Sequence, residues 1–131
     1  MNGSQEPPAP TRVLLVEHDA ELADGLVTFL RAHGMTVNLA RDGTDGLVQV
    51  RNEHFDIAVI EMLLPGASGF ILAQTIRATH GELLPIVMVS DSNASEHREY
   101  AAAIGVTWFL PKPFTPQELL SDIHTLLTPR P

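Results

Sequence analysis

The chain has 131 residues, of which 44% are hydrophobic and 18% charged, values typical of one ordinary globular domain with a full core. Eight basic residues against sixteen acidic ones give a net charge of −8, which argues against a surface for nucleic acid or anionic membranes. The chain has no cysteine, which excludes disulfides and thiolate metal sites, and its apolar stretches are far shorter than the ~18 residues of a membrane span. We therefore expect a soluble, cytoplasmic protein.

The first predicted elements form a strand and a helix. Residues 1–10 are rich in proline and poor in apolar side chains, so we expect a flexible tail before a domain that spans residues 11–127. The apolar block from Val13 to Val16 predicts a strand. Asp19 is a good N-cap for the helix that follows, and Gly34 supplies the left-handed residue that ends it.

The middle of the chain contains the most informative strand. A second strand is predicted from Met35 to Ala40, and a weaker helix continues to Glu53. An apolar run then begins at Phe55 and ends abruptly in one carboxylate, Glu61. A run of this kind is typical of a strand buried on both faces.

The last part of the chain repeats the alternation of helix and strand. The predicted elements are a helix over residues 69–79, a strand from Ile86 to Ser90, a helix over 96–103, a strand from Val106 to Leu110 and a helix over 115–127. The last helix is expected to bury Leu119, Leu120, Ile123, Leu126 and Leu127. Residues 128–131 read as a tail or the start of a linker.

Five strands that alternate with five helices predict an α/β fold with a parallel sheet and helices on both faces. The carboxyl ends of parallel strands share one edge of the sheet, where open α/β sheets place their ligand chemistry. The side chains expected to converge there are Glu17, His18, Glu61, Ser90 and Lys112.

Residues 11–127 resemble the receiver domain of two-component response regulators. The resemblance is carried by acidic residues after the first strand and by Glu61 followed by Pro65, Gly66 and Gly69. A hydroxyl residue after the fourth strand, Ser90, and the sequence Lys-Pro-Phe from Lys112 complete the pattern. The order and spacing of these four motifs are specific, and the resemblance implies a flavodoxin-like (βα)5 sheet with strand order 2-1-3-4-5.

The resemblance also implies a role for each of these positions. In a working receiver, two acids after the first strand and a phosphoacceptor Asp after the third hold Mg²⁺, and the Asp takes a phosphoryl group from a histidine kinase. By motif position, Glu17 and His18 occupy the acidic pair and Glu61 the phosphoacceptor position. Ser90 is the hydroxyl switch, Phe109 the aromatic switch and Lys112 the lysine that contacts the phosphoryl group.

Two of these positions depart from the receiver pattern. His18 stands where a metal-binding Asp is expected, and imidazole is a poor ligand for Mg²⁺. Glu61 replaces the nucleophilic Asp, and its extra methylene moves the carboxylate outward by roughly one bond length, about 1.5 Å. Misplacements of this size can cost ~10²-fold in reactivity. We therefore expect weak or absent Mg²⁺ binding and no cofactor.

The charges of the pocket predict that it neutralises itself. Glu17 and Glu61 oppose Lys112, which leaves −1, or zero when His18 is protonated. We expect Glu61 to reach Lys112, His18 or both. The resulting conformation is compatible with mimicry of the phosphorylated state and equally with an unswitched state.

Several residues also have a simpler interpretation. Asp19 is expected to act only as a helix cap, and Ser90 serves either as a switch or as a cap of the following turn. Phe109 is either a switch or a permanent core residue. In the latter case Trp108 should point to the opposite face and be partly exposed.

The leading hypothesis is a phosphorylation-independent, non-enzymatic pseudo-receiver that acts by protein–protein contact. The expected contact face runs from Glu96 to Tyr100, from Trp108 to Leu110 and from Gln117 to Asp122. An effector domain downstream and a dimer are both compatible with the sequence, whereas direct contact with nucleic acid or membrane is not expected. The alternatives are a receiver with residual metal-dependent self-phosphorylation and a flavodoxin-like ligand binder. The last is disfavoured because no Gly-rich loop follows the first strand.

Overall fold

The computed structural model describes residues 9–129. Of the predicted tails, 1–10 and 128–131, the parts at 1–8 and 130–131 lie outside the described residues. Strands and helices alternate along this part of the chain as predicted. The elements are β1 (Arg12–Val16), α1 (Ala20–Ala32), β2 (Thr36–Ala40), α2 (Gly43–Asn52), β3 (Ile57–Glu61), α3 (Gly69–His80), β4 (Ile86–Ser90), α4 (Ser95–Ala103), β5 (Trp108–Pro111) and α5 (Pro116–Leu127).

The five strands form one parallel sheet in the order β2-β1-β3-β4-β5, which confirms the predicted flavodoxin-like topology. All residues of β3 and β4 are buried, as the apolar runs predict for central strands. One core lies under α1 and α5, where Leu26 and Ile123 are buried. A second core lies on the other face under α2, α3 and α4, and contains Leu72 and Ala101.

Four of the five helices, all but α4, begin with a side-chain cap at the edge where the strands end. Asp19 accepts hydrogen bonds from the backbone N–H groups of Glu21 and Leu22, which confirms its predicted capping role. Asp42, Ser68 and Thr115 cap α2, α3 and α5 in the same way. These caps place the helix N-termini around the same edge as the predicted pocket.

The fifth strand begins two residues later than predicted, at Trp108 instead of Val106. The reason is that the Val106 N–H closes the end of α4 by donating to the Ala101 carbonyl.

The apolar face of α5 is also narrower than predicted: Leu119 and Ile123 are buried. Three of the leucines are only partly buried, namely Leu120, Leu126 and Leu127.

None of the helices within residues 9–129 has the length and apolar character needed to cross a membrane. The longest of them, α1, has 13 residues. A span needs about 20 apolar residues in helical form, so this finding agrees with the short apolar stretches of the sequence.

Candidate functional site at the carboxyl edge of the sheet

Three strand ends bring the predicted polar side chains together. Glu17 and His18 directly follow β1, Glu61 is the last residue of β3, and Lys112 directly follows β5. The Glu17 N–H still donates to the Ala40 carbonyl at 3.0 Å, which holds the chain in line with the sheet. The carboxylates of Glu17 and Glu61 are buried, with 2% and 4% of each residue exposed.

Glu61 is engaged through both of its carboxylate oxygens. Its Oε2 accepts a hydrogen bond from the His18 backbone N–H at 3.1 Å and lies 2.6 Å from the His18 ring nitrogen Nδ1. Its Oε1 accepts from Lys112 Nζ at 3.3 Å. The prediction that Glu61 reaches Lys112, His18 or both is confirmed, and it reaches both.

Lys112 bridges the two buried carboxylates. Its Nζ lies 3.2 Å from Glu17 Oε1 and 3.3 Å from Glu61 Oε1. The backbone of the lysine is fixed because its N–H donates to the Ser90 carbonyl at 2.7 Å. The peptide bond from Lys112 to Pro113 is cis. The second oxygen of Glu17 accepts from the Asp19 N–H at 3.1 Å.

This environment shifts the pKa values of the two carboxyl groups in opposite directions. Burial, reinforced by hydrogen bonding with Glu61, raises the pKa of Glu17 to about 6. Burial also acts to raise the pKa of Glu61. Hydrogen bonds with Glu17 and His18 and the charge of Lys112 outweigh it, so the pKa of Glu61 is lowered. When the pH falls, Glu17 is therefore protonated first and Glu61 is the carboxylate that stays ionised.

The basic groups of the pocket respond to these negative charges. The hydrogen bond to Glu61 raises the pKa of His18. Burial opposes the charge of Lys112, but Glu17 and Glu61 outweigh it and raise the pKa of the lysine. With both carboxylates ionised, Lys112 and a protonated His18 bring the pocket to zero charge.

Ser90 ends β4 beside this pocket and is buried. Its Oγ accepts the Ser92 N–H at 2.9 Å and donates to Met62 Sδ at 3.5 Å. The hydroxyl thus caps the turn after β4, one of the two uses that the sequence leaves open.

The loop after β3 depends on glycine. Gly66 has a φ of +82°, in the left-handed region that glycine adopts without strain. Gly69 lies against the strand end, where a Cβ would clash with the Glu61 carbonyl oxygen. The Pro65-Gly66-x-x-Gly69 motif therefore packs the loop tightly onto the strand that presents Glu61.

The family model of the response regulator receiver domain matches residues 13–124. The chain belongs to this family. The match begins at the second residue of β1 and ends within α5, so it includes all of the pocket residues described above.

Relatives and solved structures support the same assignment. The receiver domain is 31% identical over 116 residues to the regulatory protein VanRc of Enterococcus gallinarum, covering 88% of this chain and 49% of the relative. It is 32% identical to the DNA-binding response regulator MtrA of Mycobacterium tuberculosis, covering 88% and 50%. The structure of the chemotaxis protein CheY4 of Vibrio cholerae superposes with a TM-score of 0.86 at 27% identity, over 91% of this chain and 100% of that one. The receiver domain spans about half the length of these curated relatives.

The receiver fold implies a magnesium ion at this edge, which would need ligands from the side chains that meet here. Within residues 9–129, Glu17, His18 and Glu61 place ligand atoms within 4.8 Å of one another. One of the three is an imidazole, whereas Mg²⁺ requires oxygen ligands in octahedral geometry. Lys112 Nζ also lies within 3.3 Å of both carboxylates and already supplies the positive charge. These residues do not fit Mg²⁺.

The two aromatic residues of β5 face different surroundings in the receiver domain. Phe109 is partly buried against the core under α3 and α4, with the Arg98 guanidinium 5.4 Å from its ring centroid. Trp108 is 49% exposed, as predicted for its position on the opposite face.

Sequence reasoning missed one pocket residue, Arg41. It follows β2, and its Nη2 donates to the His18 carbonyl at 3.1 Å. Strand order was the available signal, because β2 lies next to β1 and its carboxyl end shares the same edge. Arg41 therefore anchors the backbone of the loop that carries His18.

Proposed function

We propose that this receiver domain transmits signals by protein–protein contact without accepting a phosphoryl group. It performs no catalysis in this proposal and acts in the cytoplasm. Since the relatives are about twice as long, one of them named as a DNA-binding regulator, the proposal includes an effector domain in the native protein.

The observation that supports this proposal is the full engagement of Glu61. Its carboxylate is held by the Lys112 ammonium, the His18 ring and the His18 backbone N–H, all supplied by the chain itself. A nucleophile in this position must free one of its two oxygens, and both are engaged, Oε1 by Lys112 and Oε2 by His18. The incoming phosphoryl group must then enter space next to these two side chains. The longer side chain and the poor magnesium ligand at His18 add to this barrier.

Partner contact is assigned to the face of α4, β5 and α5. Two large side chains on this face are about half exposed, Tyr100 at 47% and Trp108 at 49%. Tyr100 is held by an edge-on contact with Phe70, with ring centroids 4.8 Å apart. Large aromatic side chains that are exposed but fixed in place are typical of binding surfaces.

The second candidate is a receiver that retains weak metal-dependent phosphorylation. It is favoured by one observation, the convergence of three potential ligand groups within 4.8 Å beside Ser90 and Lys112. An acyl phosphate can form on Glu as on Asp, so the chemistry itself does not separate the two functions.

Incubation with Mg²⁺ and acetyl phosphate or beryllofluoride separates the two candidates. We expect no phosphorylated species by intact-mass spectrometry and no Mg²⁺-dependent change in the amide NMR spectrum. A phosphorylated species that is lost in Glu61→Gln, or a magnesium-dependent shift of the pocket amides, would overturn the proposal.

The double variant His18→Asp with Glu61→Asp provides the positive control. It restores oxygen ligands and the shorter nucleophile, so we expect Mg²⁺-dependent beryllofluoride binding that the natural chain lacks. If the double variant folds but stays inert, the assignment of these positions to the phosphorylation pocket is wrong.

A further inference from the structure

Trp108 and Asp122 form a second group of side chains, outside the strand-end pocket. Trp108 is the first residue of β5, an edge strand, and Asp122 lies on α5 beside it. Two surface grooves, of about 750 and 410 Å³, meet at this pair, and both are lined by it.

The larger groove is lined by one carboxylate, that of Asp122, and by the indole of Trp108. Trp108 and Leu126 provide apolar surface, and three threonines add hydroxyl groups. Asp122 is the single charged residue among the described residues that line it. The smaller groove adds Glu118 and Arg98, so it also carries a net negative charge.

Among residues 9–129, no lysine, arginine or histidine forms an ion pair with Asp122. Burial is the main influence that raises its pKa, the negative charge of Glu118 adds to this, and hydrogen bonding with Trp108 opposes it. Arg98, which lines the smaller groove, is directed elsewhere: its Nη1 donates to Asn93 Oδ1 at 2.7 Å and its guanidinium lies over Phe109. A partly buried carboxylate in this setting favours an incoming cation.

We propose that the groove at Trp108 and Asp122 docks a cationic segment of a partner protein, with an arginine or lysine lying on the indole and paired with Asp122. The assignment rests on the proposed function, since it names the chemistry of the partner. An indole face is the best aromatic surface for a cation, and the paired carboxylate adds a charge-assisted hydrogen bond. The net charge of −8 draws such a segment toward the domain.

The probe is a blocked peptide with two arginines separated by glycines, compared with the same peptide in which neutral citrulline replaces arginine. Trp108 is the only tryptophan of the chain, so its fluorescence reports directly on the groove. We expect a saturable change with the arginine peptide and binding at least about fivefold weaker with the citrulline peptide.

Two matched variants separate the groove from the overall charge. Asp122→Asn keeps size and removes the charge, and we expect binding at least about fivefold weaker. Asp24→Asn makes the same change at an exposed site on α1 and should alter binding by less than about twofold. Trp108→Leu, followed by calorimetry, tests the aromatic wall in a second way and should also weaken binding.

Three results would overturn the assignment. These are the absence of saturable binding, equal binding of the citrulline peptide, and equal weakening by the two Asp→Asn variants. The assignment is also wrong if sedimentation shows that the chain forms a dimer that Asp122→Asn dissolves, since the occupant is then a second copy. Failure of peptide binding leaves the phosphodonor result untouched, and Mg²⁺-dependent phosphorylation leaves the peptide result untouched, so the two proposals fail separately.

Discussion

Two partly buried cations sit at opposite edges of the sheet and have different kinds of partner. Lys112, at the carboxyl edge, contacts the carboxylates of Glu17 and Glu61. Arg77, on α3 at the other edge, donates to backbone carbonyl oxygens and one hydroxyl. Its partners are Leu84 at 2.7 Å, Gly81 and Gly105 at 2.8 Å each, and Thr107 Oγ1 at 3.3 Å.

The pKa directions reflect this difference. Burial opposes the charge of both residues. The carboxylates outweigh burial at Lys112 and raise its pKa, whereas burial dominates at Arg77 and lowers its pKa despite the charge of Glu82. A cation among carboxylates neutralises negative charge that would otherwise call for a bound metal ion. A cation among carbonyls joins segments of backbone, so Arg77 belongs to the scaffold.

The largest effect is expected from Arg77→Met. It leaves the carbonyls of the α3–β4 and α4–β5 connections without their donor, and we expect a loss of about 3 kcal/mol in the free energy of unfolding. Urea unfolding measures it, with Arg51→Met on the exposed face of α2 as a control that should cost under about 0.5 kcal/mol. The pKa of His18, followed by NMR, should not move. A loss no larger than that of Arg51→Met would contradict the scaffold role of Arg77. A shifted His18 pKa would show that the two edges are coupled.

Glu17→Gln is expected to change how stability depends on pH. The pKa of Glu17 is about 6 in the folded state against an ordinary 4.5, so folding takes up a proton between these values. The folded natural chain therefore loses stability as pH rises through this window, by up to about 2 kcal/mol. Gln cannot ionise, so the variant should gain relative to the natural chain from pH 4.5 to 7. Urea unfolding at a series of pH values measures this difference, and an equal dependence of stability on pH in the two chains would contradict it. The control is Glu21→Gln, at an exposed position of α1.

His18→Ala should have the smallest effect, because half of the His18 side chain is exposed and solvent screens its contact with Glu61. We expect a cost of no more than about 1 kcal/mol near pH 6. The raised pKa means that this stabilisation is complete below 6.5 and is lost as pH rises through the folded-state value. By NMR, the pKa of His18 should fall back toward 6.5 in Glu61→Gln. If it stays raised there, Glu61 is not its partner.

Much of the pocket could be predicted because parallel strands end at one edge. That rule brought Glu17, Glu61 and Lys112 together on the basis of three short apolar runs. Arg77 could not be found in this way, because its partners are mainly carbonyl oxygens, which every residue carries. Neither could the contact of Ser90 with Met62, which depends on how the turn after β4 folds back.

The sequence by itself determined the alternation of strands and helices, the parallel sheet and the presence of a carboxylate at Glu61 with a cation available. Apolar periodicity and capping residues act locally, so they can be read along the chain. Only the tertiary structure decided that Glu61 engages both His18 and Lys112, that Lys112 also holds Glu17, and that Arg77 binds three carbonyls at the opposite edge. Such choices depend on distances of a few tenths of an ångström between segments far apart in sequence, and no local pattern encodes them.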